Sequence, residues 1–181
     1  MKVCAVVVTF NRKQDLMNCI PALLSQTSKL DTILIIDNCS TDGTYDELVT
    51  AGYLKGNTKS SILDCDKGNV ELNYFRMTKN TGGAGGFNKG QELALKSDCD
   101  WIWLMDDDGF PVPNCLEILI ESAIKNNLKV INPIVRNVNN PGLLSFDLGG
   151  MKSVNDAYDQ ADTNDLLIGL ANPFNGTLFK R

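Results

Sequence analysis

Short runs of mostly apolar, β-branched residues alternate along this chain with longer stretches in which apolar residues recur every three or four positions. Residues 2–9, 32–37, 70–77, 101–105 and 130–135 are of the first kind and read as strands. Helices are predicted between them. Residues 13–26 place Leu16, Ile20, Leu23 and Leu24 on one stripe, and further helices fall at 44–51, at 86–96 and after Pro113. Pro21 lies inside the first, where a mid-helix proline costs roughly 3 kcal/mol, so a kink or an early break is expected there. In the last, Asn114 and Glu117 have the spacing of a capping box ahead of the stripe Leu116, Leu119, Ile120 and Ala123. Residues 52–69 read as a polar surface excursion. Residues 136–165 read as a mobile loop region, followed by a last apolar run at 166–171.

Strand, helix and strand in repetition predict an α/β fold with a mainly parallel sheet, right-handed crossovers and helices on both faces. In such sheets ligands bind outside the carboxyl ends of the strands. Four predicted strands end in polar segments: Thr-Phe-Asn-Arg from Thr9, Asp-Asn-Cys-Ser-Thr-Asp-Gly from Asp37, Lys-Asn-Thr-Gly-Gly-Ala-Gly-Gly from Lys79, and Asp-Asp-Asp-Gly from Asp106. A parallel sheet gathers all four at one edge.

The aspartate triplet is the most informative of these. Two unit charges about 4 Å apart repel by roughly 1 kcal/mol in water and roughly 4 kcal/mol at an effective dielectric of 20, so a strand ending this way calls for a cation. Alternation along an extended segment aims Asp106 and Asp108 one way and Asp107 the other. Two carboxylates with room for water and phosphate oxygens suit Mg²⁺ or Mn²⁺. An acidic turn is the plainer alternative. The glycine run lacks the Gly-Lys-Ser/Thr ending of a Walker loop and the spacing of a dinucleotide fingerprint. It can still bring backbone close to a ligand, or serve only as a turn. Asp37 can accept from a base or ribose, or cap the next turn. Asp42-Gly43 reads as a turn, Arg12 can reach phosphate or stay solvated, and Trp101 and Trp103 read as core.

Composition narrows the rest. With 181 residues, 43% hydrophobic and 22% charged, one domain with a real core is expected. A net charge of −5 argues against a nucleic-acid surface. An anionic ligand would need local help from a metal, helix N-termini or cations such as Arg12, Arg76, Lys79 and Lys89. The six cysteines form no Cys-x-x-Cys pair and there is no histidine, which excludes a zinc site or a histidine-based triad within these residues. Reduced structural thiols in a cytoplasmic protein are expected, and the sequons at Asn38 and Asn175 then carry no meaning.

Taken together and in order, these motifs resemble the family 2 glycosyltransferases of the GT-A (nucleotide-diphospho-sugar transferase) fold, over about residues 2–125. Val-Val-Val-Thr-Phe-Asn-Arg is similar to the family's first strand and nucleotide loop, Ile-Ile-Asp-Asn-Cys-Ser-Thr-Asp-Gly-Thr to its second motif, Asn-Thr-Gly-Gly-Ala-Gly-Gly-Phe-Asn-Lys-Gly to its third and Trp-Leu-Met-Asp-Asp-Asp-Gly to its metal motif. The galactofuranosyl- and rhamnosyltransferase branch is the nearest look. The resemblance implies that Thr9, Asn11 and Arg12 line the nucleotide pocket, that Asp37 meets the base, and that Asn80 and Gly83 lie near the diphosphate and sugar. It further implies that Asp106 and Asp108 hold Mg²⁺ or Mn²⁺, with Asp107 facing the donor sugar or its support. The implied reaction is inverting transfer from a UDP or dTDP donor to a glycan or lipid-linked acceptor, in the cytoplasm or at the inner face of the membrane.

The family's acidic acceptor motif and a downstream histidine would lie past Arg181, so no catalytic base is assigned. Residues 1–135 are expected to form the donor-binding core and 136–181 the start of an acceptor-side region, the chain being a piece of a longer protein. Asp147, Asp156, Asp159, Asp162 and Asp165 match no family position and read as solvated charges. Three other functions compete: a non-catalytic donor-binding module; a sugar-1-phosphate nucleotidyltransferase, which would need a glycine-rich basic first loop that Thr9 to Arg12 lacks; and a receiver or phosphatase-like domain with an aspartate as phosphoryl acceptor.

Overall fold

A computed structural model describes the chain except for residues 163–165, 168 and 170–174. Four apolar segments form parallel neighbours: β1 (Val3–Thr9), β2 (Thr32–Asp37), β4 (Val70–Arg76) and β5 (Trp101–Asp106). With β3 (Ser60–Leu63), β6 (Val130–Ile131) and β9 (Leu178–Lys180) they make a seven-stranded sheet of order β3-β4-β2-β1-β5-β9-β6. β3 and β9 run antiparallel to their neighbours. Alternate residues of the central strands serve two cores. Val3, Ala5, Val7, Ile33, Ile35, Trp101, Trp103 and Met105 face one, and Cys4, Val6, Val8, Leu34, Ile36, Ile102 and Leu104 face the other. Both tryptophans are core, as read from sequence.

The first core is closed by α1 (Lys13–Leu24), α2 (Thr44–Thr50) and α4 (Cys115–Lys125), the second by α3 (Gly82–Lys96). β1 to β2 to β4 advances one way across the sheet, and α3 then carries the chain back past β1 to β5. The building direction therefore reverses at the β1/β5 boundary, where doubly wound sheets bind ligands. One expectation fails here. The α3 and α4 connections advance the same way on opposite faces, so they cannot share a hand. The antiparallel β9 separates β5 from β6, so the last connection departs from the plain strand-helix-strand repetition on which the expectation rested.

Other local expectations are corrected. α1 runs unbroken through Pro21, which stands three residues from its end and whose carbonyl still accepts from Ser25 N at 2.9 Å. The capping box does not form, because Asn114 makes no side-chain cap and Glu117 accepts from the Thr27 hydroxyl at 2.8 Å. Gln26, buried at the end of α1, takes over: its Oε1 accepts from Leu116 N at 3.0 Å and its Nε2 donates to Val112 O at 2.9 Å. The polar stretch 52–69 contains the edge strand β3. The expected loop region contains β7 (Leu143–Leu148), β8 (Met151–Ser153) and α5 (Val154–Gln160), which enclose a small core of Leu144, Leu148, Met151 and Ala157. From the same stretch of chain β9 returns to pair with β5. Of the apolar run 166–171, residues 168, 170 and 171 lie outside the described residues, as does Asp165.

Candidate functional site

The four polar segments do meet at one sheet edge, tied by hydrogen bonds that cross from tip to tip. Asn38 N donates to Thr9 O at 2.8 Å and Met77 N to Asp37 O at 2.8 Å, extending the ladders past the strand ends. The Thr9 hydroxyl, fully buried, donates to Asp107 Oδ2 at 2.8 Å. Asn38 reaches the glycine segment, with Nδ2 donating to Asn80 Oδ1 and Gly82 O, both at 2.9 Å, while Oδ1 accepts from Thr81 N at 2.9 Å. Asn11 adopts a left-handed backbone (φ 52°) and closes the gap to the second tip, its N–H donating to Ser40 Oγ at 3.0 Å and its Oδ1 accepting from Thr41 N at 2.7 Å. Asparagine tolerates that conformation better than most residues.

At one end of this row of tips, Asp37 is buried at 1% exposure. Its Oδ1 accepts from Ser40 N at 2.7 Å, its Oδ2 accepts from the Tyr74 hydroxyl, and Arg76 Nε stands 3.6 Å away. Arg76 also donates to Ser40 O at 2.7 Å. Burial and the neighbouring Asp37 raise the Tyr74 phenol, so it stays a donor. These residues border an open pocket of about 390 Å³ that Tyr45 and Lys59 also line. The Lys59 ammonium lies over the Tyr45 ring, 3.7 Å from its centroid.

At the other end, strand alternation stops at Asp106, where the chain enters a turn closed by Gly109 N donating to Asp106 O at 3.0 Å. Asp107 and Asp108 consequently do not point apart. Both meet one guanidinium: Arg12 Nη1 lies 3.4 Å from Asp107 and Nη2 donates to Asp108 at 2.9 Å, while Nε pairs with Asp15 at 2.9 Å. Burial pushes Asp107 up to about 6, against the pull of the Thr9 hydroxyl and Arg12. Burial, then Asp108, also raises Asp106, whose carboxylate makes no hydrogen bond to a described residue. An acid left half-buried without a donor, beside a second acid, has the chemistry of a hard-cation ligand pair. No group of three or more acid, thiol or imidazole ligands among the described residues forms a ready-made metal cage. An ion here would depend on Asp106 and Asp108 with oxygens from a ligand.

The glycine segment behaves differently from its sequence reading. The helix begins at Gly82, four residues earlier than expected, and a Cβ on Gly86 or Gly90 would stand 2.5 Å from Val8 Cγ1 or 2.3 Å from Val6 Cγ1. Those glycines let α3 lie on β1. Only the start of the run is open: Gly83 is exposed, with nothing within 4 Å of where its Cβ would be. Sequence reasoning did not single out Asn38 or Ser40 as site builders, although both sit in the second polar segment. Gln26 and Tyr74 carried no signal at all, since their partners lie far along the chain.

A mainly parallel sheet whose switch point carries a row of carboxylate-bearing strand tips is the frame of the GT-A sugar-nucleotide transferases. The model of glycosyl transferase family 2 matches residues 4–148, and the chain belongs to that family. Galactofuranosyltransferase GlfT1 of Mycolicibacterium smegmatis is 35% identical over 185 aligned positions, covering 98% of this chain and 56% of that protein. Galactofuranosyltransferase GlfT1 of Mycobacterium tuberculosis is 33% identical over 184 positions, covering 98% and 55%. The chain thus spans about half the length of these relatives. Among solved structures, S. aureus TarS 1–349 superposes with a TM-score of 0.63 at 14% identity, covering 99% of this chain and 47% of that one. A mannosyltransferase from Pyrobaculum calidifontis in complex with GDP-Man and Mn²⁺ superposes with a TM-score of 0.58 at 16% identity, covering 75% and 36%. These likenesses show the fold. No described helix is long and apolar enough to cross a membrane.

Proposed function

We propose that this chain is the donor-binding half of an inverting, metal-dependent glycosyltransferase that uses a UDP- or dTDP-linked sugar, galactofuranose- or rhamnose-like, and a glycan or lipid-linked acceptor. The observation that carries this reading is the hydrogen-bonded convergence of the Thr9, Asp37, Asn80 and Asp106 tips at one sheet edge. Asp37 and Arg76 set an acceptor beside donors at the 390 Å³ pocket. A uracil or thymine ring, with one N–H between two carbonyls, is complementary to that pair. Asn11 and Thr9 fix the first tip, Arg12 supplies positive charge for phosphate, and Asn80 with Gly83 borders the path of the diphosphate and sugar. Asp106 and Asp108 would hold Mg²⁺ or Mn²⁺, which when bound neutralises charge on the departing diphosphate. Asp107, buried between Thr9 and Arg12, supports the turn that presents them.

Residues 1–135 would form the donor core and 136–181 the beginning of the acceptor side, acting in the cytoplasm where a lipid-linked acceptor is met at the membrane face. Calorimetry with UDP and Mn²⁺ tests the reading. Micromolar to millimolar binding is expected, weakened by at least about tenfold in Asp106→Ala and Asp108→Ala. Unchanged binding in both variants refutes the metal assignment. Because the chain matches only half of its relatives, a donor-binding module without transfer activity is the second reading. Hydrolysis or transfer of a UDP-sugar by the 181-residue chain rejects it.

A further inference from the structure

The Arg12 guanidinium touches three carboxylates at once: Asp15 through Nε, Asp107 through Nη1 and Asp108 through Nη2. Asp107 is almost fully buried and is held by Thr9, whereas the Arg12 and Asp108 side chains are 46% and 43% exposed. The movable partners are therefore the arginine and Asp108. Asp108 Oδ2 is the atom Nη2 occupies at 2.9 Å. A divalent cation on the same carboxylate would stand within a few ångströms of the guanidinium, and two cations that close repel. The two therefore compete for Asp108. Asp15, on the first turn of α1, lies off the triplet and can retain Nε while the rest of the fork turns.

We propose that Arg12 is an internal counter-ion of the aspartate triplet, which holds Asp108 when no metal is bound and releases it to a divalent cation, its fork passing to the nucleotide's phosphates. The inference rests on the metal site of the proposed function. It makes Arg12 oppose the cation alone and assist the nucleotide, so one substitution acts with opposite signs on two ligands. With no nucleotide present, Arg12→Gln should bind Mn²⁺ about three- to tenfold more tightly than the parent chain, the scale of an exposed ion pair or two. With Mn²⁺ saturating, the same variant should bind UDP at least about tenfold more weakly, the scale of a lost charged hydrogen bond. Arg12→Lys, which keeps the charge without the fork, should fall between on both measures.

Titration calorimetry of the 181-residue chain with MnCl₂ alone, then with UDP at fixed Mn²⁺, reads both. Equal or weaker Mn²⁺ binding by Arg12→Gln, against measurable binding by the parent, overturns the inference and leaves the metal site standing. Absence of Mn²⁺ binding from parent and variants alike, with or without UDP, overturns the metal site and the inference with it.

Discussion

Replacing Gly90 by alanine pits two effects of opposite sign against each other. Alanine in place of a mid-helix glycine gains about 1 kcal/mol of helix propensity. The new methyl would stand 2.3 Å from Val6 Cγ1 and 3.2 Å from Ile36 Cγ1. Val6 is fully buried in β1, between β2 and β5, so it has no free volume to move into. Overpacking of this kind costs roughly 1–3 kcal/mol, and so short a contact against a central strand belongs at the upper end. The clash wins by about 2 kcal/mol, and since 1 kcal/mol shifts Tm by roughly 2–4 °C in a chain of this size, Tm should fall by about 4–8 °C. Thermal unfolding followed by circular dichroism reads the shift directly. In a Val6→Ala background the obstructing methyl is gone, and the same glycine replacement should become neutral or stabilising. A Gly90→Ala protein that melts at or above the parent temperature, or an unchanged penalty in the Val6→Ala background, would refute the packing role assigned to this glycine.

Three further outcomes follow from the same coordinates. Gly83→Ala, with open space around its Cβ, should raise stability by up to about 1 kcal/mol, and a Tm decrease would contradict the division of the glycine run. Asn38→Ala deletes the part-buried hydrogen bonds to residues 80–82 and should cost about 3 kcal/mol in urea denaturation; a loss under about 1 kcal/mol would show that the segment holds itself. Burial opposes ionisation of Asp42, but hydrogen bonds from the Thr44 hydroxyl and the Lys13 and Thr44 N–H groups outweigh it and keep the carboxyl below its usual range. That contribution is complete above the unfolded value of about 4 and fades as pH falls toward the folded one. The stability of the parent should therefore drop more steeply below about pH 4 than that of Asp42→Asn, and parallel pH profiles would refute it.

Much of the central sheet was legible because Val3 to Val8, Ile33 to Ile36 and Trp101 to Met105 must be buried on two faces, and nothing but a covered strand does that. Asp106 to Asp108, Asp37 and Arg12 stood out because charge follows directly on apolar runs, and the structure brings the segments that carry them to one sheet edge. β3 escaped because an exposed edge strand holding Ser60 and Ser61 has the composition of a loop. β7 and β8 pack on a four-residue core too small to leave a pattern. Gln26 and Asn38 act across 90 and 42–44 residues respectively, and a buried amide that caps a remote helix or pins a remote loop looks in sequence like any surface amide. Glycine spacing misled for the converse reason. Helix–sheet contact and ligand approach both ask for a missing side chain, and only the neighbours of Gly86 and Gly90 tell them apart.

The placement of β9 bears on how the chain is made. Leu178–Lys180 are made long after β5, yet they slot between β5 and β6, and just ahead of them Gly176 O accepts from the Trp103 indole at 2.9 Å. Until they emerge, β5 has a bare flank of unpaired N–H and C=O groups beside the aspartate turn, open to pairing with a neighbouring nascent chain. A product cut short before Leu178 would leave that flank bare and be prone to aggregate during translation.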